Sequence, residues 1–257
     1  MKKRKRYKRE QRRYCFRTSI EVERTYRGNG GKGKRQKRKK PTEEQIARQN
    51  QYNREKKLRR ILKANFGEDD YWVLLTYRKG FRTEIRKAKE DFRKFIRFLR
   101  REYRKRGYEL KWVVRTEVGK QGAAHHHFLC NRISDGDILI KNCWRKITGT
   151  GFPSFKHTYE EGGFTGLAWY LTKPPDQEGM EHNYSRSRNL IIPEPEITRA
   201  TKREMTAYPV PDEGYYIDED SVFMGINPIT GNEYQHFIMY KIGTEVPPWR
   251  RDGDSGG

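Results

Sequence analysis

The sequence has few apolar residues, few cysteines and no long apolar run. Only 33% of its 257 residues are hydrophobic and 35% are charged, so part of the chain is not expected to form packed core. Three cysteines, Cys15, Cys130 and Cys143, are too few for a disulfide framework and match no zinc spacing, which favours a reducing compartment. No apolar run reaches the ~18 residues that span a membrane, and none follows the basic start, so we expect neither a membrane protein nor a secretory signal.

The positive charge is concentrated near the start of the chain. The formal net charge is +23; residues 1–60 hold 25 Lys and Arg against 6 Asp and Glu, whereas residues 61–257 hold 32 against 28. We therefore predict a flexible basic arm over residues 1–41 and a polyanionic partner, with nucleic acid as the first candidate. The alternative is a basic soluble protein without a specific ligand, such as a ribosome-associated or virion protein.

Hydrophobic periodicity beyond the arm predicts alternating helices and strands. The predicted helices are 42–64, 83–106, 135–147 and 164–173, and the predicted strands are 71–77, 110–118, 124–131 and 152–159. The two middle strands form a hairpin around Gly119 to Gly122, so the order predicts an α+β fold with an antiparallel-rich central sheet and flanking helices. We assign the main domain to 42–205, and a β-rich extension and tail to 206–257.

The segment that contains His125, His126 and His127 carries the sharpest chemical signal. Alternate residues of a strand share a face, so His125 and His127 are expected to point the same way and His126 toward the packing side. If the turn is centred on Gln121, Glu117 lies opposite His125 on the same face. Two imidazoles and one carboxylate form a facial ligand set for a metal ion. The alternatives are ordinary exposed histidines, and a Glu117 that pairs with a neighbouring cation.

A candidate nucleophile lies on the predicted helix 164–173. Tyr170 and Lys173 are three residues apart and so share a helix face. A phenol is mostly protonated at neutral pH, and a nearby metal and an ammonium would both favour the phenolate. The alternative is that Tyr170 packs in the core beside Trp169.

Together these residues resemble the HUH endonucleases, in particular the rolling-circle replication initiators that use one tyrosine. Over roughly residues 42–205 three motifs occur in the family's order: the strand of residues 72–77, then Glu117 with His125-His126-His127, then Tyr170-Leu-Thr-Lys173. The stretch Tyr184 to Leu190 is similar to initiators of phage-like and plasmid elements of Gram-positive bacteria. The sequence departs from the family at His126, where a bulky apolar residue is usual.

The resemblance implies an RRM/ferredoxin-like fold and a sequence-specific nick in single-stranded DNA. Tyr170 would form a 5′-phosphotyrosine link, assisted by Lys173 and by Mg²⁺ or Mn²⁺ on Glu117, His125 and His127. It also implies a replication origin as the DNA target, a host helicase and DNA polymerase as partners, and the cytoplasm of a bacterial host as the location. DNA contacts are predicted for six arginines: Arg93, Arg97, Arg100, Arg115, Arg186 and Arg188.

Two other functions fit parts of the pattern. One is an HUH transposase or relaxase, although relaxases usually place the tyrosine before the histidine motif and single-tyrosine transposases are commonly shorter. The other is a non-enzymatic nucleic-acid-binding protein, which would explain the charge but not the joint occurrence of the three motifs. Detection of a covalent protein–DNA adduct separates this last function from the others.

Overall fold

The computed structural model describes residues 8–26, 41–119, 122–156, 163–174, 184–226 and 232–244. Its strands are β1 Arg9–Cys15, β2 Ser19–Tyr26, β3 Tyr71–Thr76, β4 Trp112–Val118, β5 Ala124–Cys130, β6 Phe152–Lys156, β7 Tyr184–Arg186, β8 Glu196–Arg199, β9 Tyr215–Ile226 and β10 Glu233–Lys241. Its helices are α1 Glu43–Asn65, α2 Ile85–Lys105, α3 Gly136–Thr148, α4 Gly163–Thr172 and α5 Lys202–Thr206. None of these helices is long and apolar enough to cross a membrane.

The chain forms two compact units, each with its own five-stranded antiparallel sheet. Among the described residues, the central unit lies within 53–191, and the terminal unit lies within 1–52 and 192–246. The central sheet has the order β6-β3-β5-β4-β7, and the terminal sheet has the order β8-β1-β2-β10-β9. The predicted α+β fold with an antiparallel-rich sheet and flanking helices is confirmed, while the second sheet was not predicted.

Helices pack on both faces of the central sheet. On one face, α2 and α3 bury Phe95, Leu99 and Trp144 against Val73 and Phe128. On the other face, α1 and α4 bury a second cluster that contains Leu58, Leu62, Trp72, Leu129 and Leu167. This double coverage explains why β3 is apolar along its whole length.

Several predicted elements are confirmed by their local geometry. Helix α1 begins at the predicted capping box, in which the Thr42 amide donates to Gln45 Oε1 at 3.0 Å and the Gln45 amide donates to Thr42 Oγ1 at 3.2 Å. Helix α2 ends before Gly107, which adopts a φ of 79° that other residues rarely take. Cys15, Cys130 and Cys143 are free thiols, as predicted. The predicted end of the strand 152–159 lies outside the described residues.

The predicted flexible arm is wrong for residues 9–26. These residues form β1 and β2, and β2 pairs with β10 from Ser19↔Tyr240 to Thr25↔Tyr234. The predicted domain boundaries change as well, because 192–205 belong to the terminal unit with the predicted extension. Basic side chains had suggested an arm, but Ile20 and Val22 pack against Phe237 and Met239 in a separate core.

Candidate metal and nucleophile site

The β4–β5 hairpin sets the register that brings the candidate ligands together. Glu117 pairs directly with His125, and Arg115 pairs with His127, so all four side chains project from one face. The amide of Gly119 donates to the Ala123 carbonyl at 2.9 Å at the closed end of the hairpin. The predicted register is confirmed, although residues 120 and 121 of the turn lie outside the described residues.

Three potential metal ligands meet at this point. His125 Nε2 lies 3.8 Å and His127 Nε2 lies 3.4 Å from the same Glu117 oxygen, Oε2, and one donor atom from each residue falls within 4.8 Å of the others. His125 Nδ1 lies 3.3 Å from the Ala123 carbonyl oxygen. A proton on Nδ1 would donate to that carbonyl and leave the lone pair of Nε2 for a metal.

The hydroxyl of Tyr170 lies within this group. It donates to Glu117 Oε2 at 2.7 Å and is 2.6 Å from His127 Nε2. Trp72 supports both partners, since its ring stacks on the His127 ring at 5.8 Å and meets the Tyr170 ring edge-on at 6.3 Å. Helix α4 therefore places the phenol on the site face of the sheet, where a nucleophile was expected.

Lys173 adds a positive charge next to the phenol. Its Nζ lies 4.8 Å from the centre of the Tyr170 ring and 3.8 Å from Glu117 Oε1. The ammonium thus contacts the predicted nucleophile and a predicted metal ligand at once. Its position favours negative charge in this corner, whether on a carboxylate, a phenolate or a phosphate.

Glu117 is held in its charged form. Burial by itself would raise the pKa of this carboxyl, but the contacts with His127 and Tyr170 and the charges of Arg115 and Lys173 outweigh burial. The result is a pKa well below the ordinary range of a glutamate. A permanently ionised carboxylate is a good metal ligand and a weak base.

His126 belongs to the core and not to the site. Its side chain is fully buried on the opposite face, in ring contact with Phe92 and Trp144, and its Nδ1 lies 2.9 Å from Thr116 Oγ1. Burial, followed by the neighbouring His125 and His127, lowers the pKa of His126 to about 3. The imidazole here takes the place of the bulky apolar residue that the family usually has.

Arg115 does not lie where a DNA contact would need it, and that prediction is wrong. Its side chain is 6% exposed, and Nε donates to Glu117 Oε1 at 2.6 Å. Nη1 donates to the carbonyls of Leu171 and Lys173 at 3.3 and 2.5 Å, and Nη2 donates to Pro174 at 3.4 Å. Arg115 therefore fixes a candidate ligand relative to the end of α4, a role that sequence reasoning missed although strand alternation puts it on the face of Glu117.

The other predicted DNA-contacting arginines do not converge on this cluster. Arg93, Arg97 and Arg100 are exposed on α2, the helix that packs on the face of the sheet opposite Glu117. Arg186 is half-buried and pairs with Val113 on the site face, while Arg188 is exposed. A phosphate held at Tyr170 is therefore not within reach of the α2 arginines, and DNA contact by them stays a prediction.

One of the comparisons with known proteins found a relationship. Residues 70–175 match the model of a family of replication-associated proteins of the ORF2 type. The matched segment contains every member of the cluster: Arg115, Glu117, His125, His127, Tyr170 and Lys173. Neither a curated protein nor a solved structure matched the chain. The matched segment lies wholly within the central unit.

Proposed function

We propose that this chain, whose residues 70–175 match the family of ORF2-type replication-associated proteins, initiates rolling-circle replication. In this proposal it is a metal-dependent, sequence-specific endonuclease and strand transferase that acts on single-stranded DNA at an origin. One observation carries the proposal: the Tyr170 hydroxyl touches Glu117 and His127 at 2.7 and 2.6 Å. A tyrosine that merely filled the core would not need its oxygen among three potential metal ligands.

Glu117, His125 and His127 are the residues that would hold the metal. The fit rests on the donor set, because both Nε2 atoms approach the same carboxylate oxygen and that carboxylate stays ionised. When bound, a divalent ion supplies polarisation of the scissile phosphate and neutralisation of developing charge. Mg²⁺ and Mn²⁺ both suit such chemistry, and the two nitrogen donors favour Mn²⁺.

The proposed chemistry is a transesterification by Tyr170. The phenol oxygen forms a bond to phosphorus while the bond from phosphorus to O3′ breaks, and O3′ takes up a proton from water. The phenol proton leaves to solvent, since Glu117 is too weak a base to keep it, and the ammonium of Lys173 stabilises the phenolate. The products are a 5′-phosphotyrosine link and a free 3′-hydroxyl, and the reverse attack rejoins strands without a nucleotide cofactor.

The free 3′-hydroxyl defines the proposed partners. It is the primer that a DNA polymerase of the host would extend, and a host helicase would open the duplex ahead of it. The place of action would be the cytoplasm of the bacterium that carries the mobile element.

The test is adduct formation on single-stranded oligonucleotides with Mn²⁺. A random-sequence pool is labelled at the 3′ end, because the fragment that carries the 5′-phosphate stays on the protein. The parent chain should give a labelled protein band, and Tyr170→Phe should give none while it keeps its fold. Tyr184→Phe is the matched control: Tyr184 lies on the same face, paired with Arg115, but burial raises its pKa and makes it a poor nucleophile.

Three outcomes separate the possibilities. An adduct with Tyr184→Phe and none with Tyr170→Phe supports the proposal, and sequencing the trapped DNA then identifies the origin. An adduct with Tyr170→Phe but not with Tyr184→Phe would show that the enzyme class is right and the nucleophile wrong. If the parent chain forms no adduct on any sequence in the pool, a non-enzymatic nucleic-acid-binding function replaces this one.

A further inference from the structure

An exposed aromatic residue lies in the same cross-sheet row as the metal-ligand candidates. Thr76 of β3 pairs with His125 on one side and with Phe152 of β6 on the other, and His125 pairs in turn with Glu117. Directly paired residues project from one face, so Phe152 points to the site face. Its neighbour Pro153 is buried and pairs with the fully buried Leu75, which confirms the alternation.

Phe152 is 60% exposed, which is unusual for a phenylalanine in a strand. Its main chain is fixed, because the Thr76 hydroxyl donates to the Phe152 carbonyl at 2.9 Å. Two strand spacings separate it from His125, or about 9.6 Å, a distance on the scale of one or two nucleotides. A rigid backbone with an open ring face at this position suits stacking on a nucleobase.

Charges for a nucleic-acid backbone lie at the same end of the sheet. The loop 77–84 that follows β3 exposes Arg78, Lys79 and Arg82, and it also exposes Phe81. The loop borders the β4–β5 hairpin, since a Cβ placed on Gly122 would lie 3.7 Å from Arg82 Cδ. Aromatic rings interleaved with cations are the combination that binds single strands with little sequence preference.

We propose that Phe152 is a stacking platform for a base of single-stranded DNA next to the phosphate that Tyr170 attacks. In this arrangement Arg78, Lys79 and Arg82 contact the neighbouring backbone. The inference rests on the proposed function for the identity of the DNA strand. It adds a positioning residue on β6, outside the three motifs that carry the resemblance.

The affinity test uses a fluorescent oligo-dT of 20 nucleotides and Tyr170→Phe protein, at raised ionic strength so that phosphate contacts are screened. Adding Phe152→Ala or Phe152→Leu should weaken binding roughly 5- to 150-fold, the effect of losing one stacked base. Phe152→Trp should keep the affinity, because it keeps a ring. Phe155→Ala is the matched control: it lies three residues along β6, is 40% exposed, and pairs with Val73, which faces the other side of the sheet.

A second measurement maps the contact directly. The same oligonucleotide with 5-iodouracil in place of thymine is irradiated, and cross-linked peptides are identified by mass spectrometry. We expect cross-links at Phe152 and none at Phe155. The proposal fails if Phe152→Leu binds as tightly as its parent, or if cross-links fall on Phe155 and not on Phe152.

The two proposals fail in different ways. If the unmodified chain forms no covalent adduct but Phe152→Leu still weakens binding, the stacking platform stands and the nuclease function falls. If the adduct forms, and forms equally well with Phe152→Leu at limiting DNA, the nuclease function stands and the platform falls. Thermal unfolding of Phe152→Ala should match the parent, because an exposed ring contributes little to the core.

Discussion

Replacing Arg115 with methionine should damage both the stability and the chemistry of the central unit. The guanidinium connects Glu117 of β4 to the carbonyls of Leu171, Lys173 and Pro174 at the end of α4. Methionine keeps much of the volume and the apolar stem but has neither charge nor donors. The variant would therefore leave Glu117 without its closest cation and the end of α4 without its anchor.

The structure indicates the size of the effect. Removal of one partner from a buried ion pair costs about 3–5 kcal/mol, and the lost carbonyl contacts add to that cost. Glu117 keeps Lys173 at 3.8 Å, however, and its side chain is 14% exposed, so water and the second cation offset part of the loss. We expect a decrease of about 3 kcal/mol in the free energy of unfolding, at the lower end of that range.

The assay is urea unfolding followed by tryptophan fluorescence, with Mn²⁺ titration and adduct formation measured on the same samples. Loss of a group that orients a ligand typically weakens metal binding or activity about 10- to 100-fold. Arg115→Lys should fall between parent and Arg115→Met, because one ammonium cannot reach Glu117 and three carbonyls together. Exposed Arg188 gives the control, and Arg188→Met should change stability by no more than about 0.5 kcal/mol. Parental stability and Mn²⁺ affinity in Arg115→Met would refute the argument.

Three further variants test other parts of the site. The depressed pKa of Glu117 implies that its charge stabilises the fold above the ordinary value of 4.5 and that this stabilisation is lost as the pH falls toward the depressed pKa; urea unfolding should show Glu117→Gln losing most at neutral pH and least in strong acid, and a gap that widens on acidification would contradict this. His126→Phe should keep adduct formation and at least the parental stability, because the buried Nε2 has no hydrogen-bond partner within the described structure; loss of Mn²⁺ binding on titration would mean that His126 is a ligand. Lys173→Ala should slow adduct formation in a time course without abolishing it, whereas His127→Ala should abolish it.

The central unit was largely predictable because its signals are local. The spacing of Phe92, Ile96 and Leu99 defines α2, and the capping box at Thr42 marks the start of α1. The short hairpin allowed a register to be proposed, and strand alternation then placed Glu117 and His125 on one face. Each of these inferences needs only residues that lie close together in the chain.

The terminal unit could not be predicted because its order comes from distant pairing. Val22 of β2 pairs with Phe237 of β10, more than two hundred residues along the chain. Charged side chains also obscured the strands, since Glu10, Glu21 and Glu23 are buried and therefore break the expected pattern of apolar positions. The misassignment of Arg115 has a similar cause, because a sequence does not show whether a cation is buried by a partner or open to DNA.

The path of the chain changes what deletion of the predicted arm would measure. Strand β2 lies between β1 and β10, so removal of residues 1–41 would take two strands, strip Ile20 and Val22 from the core with Phe237, and expose an edge of β10. We expect that truncation to lower the free energy of unfolding of the terminal unit, and its weaker DNA binding would then not report on charge alone. Removal of residues 1–7 takes away five cations and leaves β1 whole. It should flatten the salt dependence of DNA binding, by up to about 0.7 per lost phosphate contact on single strands, with urea unfolding unchanged. A longer truncation that unfolds like the parent would mean that residues 8–26 are dispensable to the sheet, and the original arm hypothesis would regain its place.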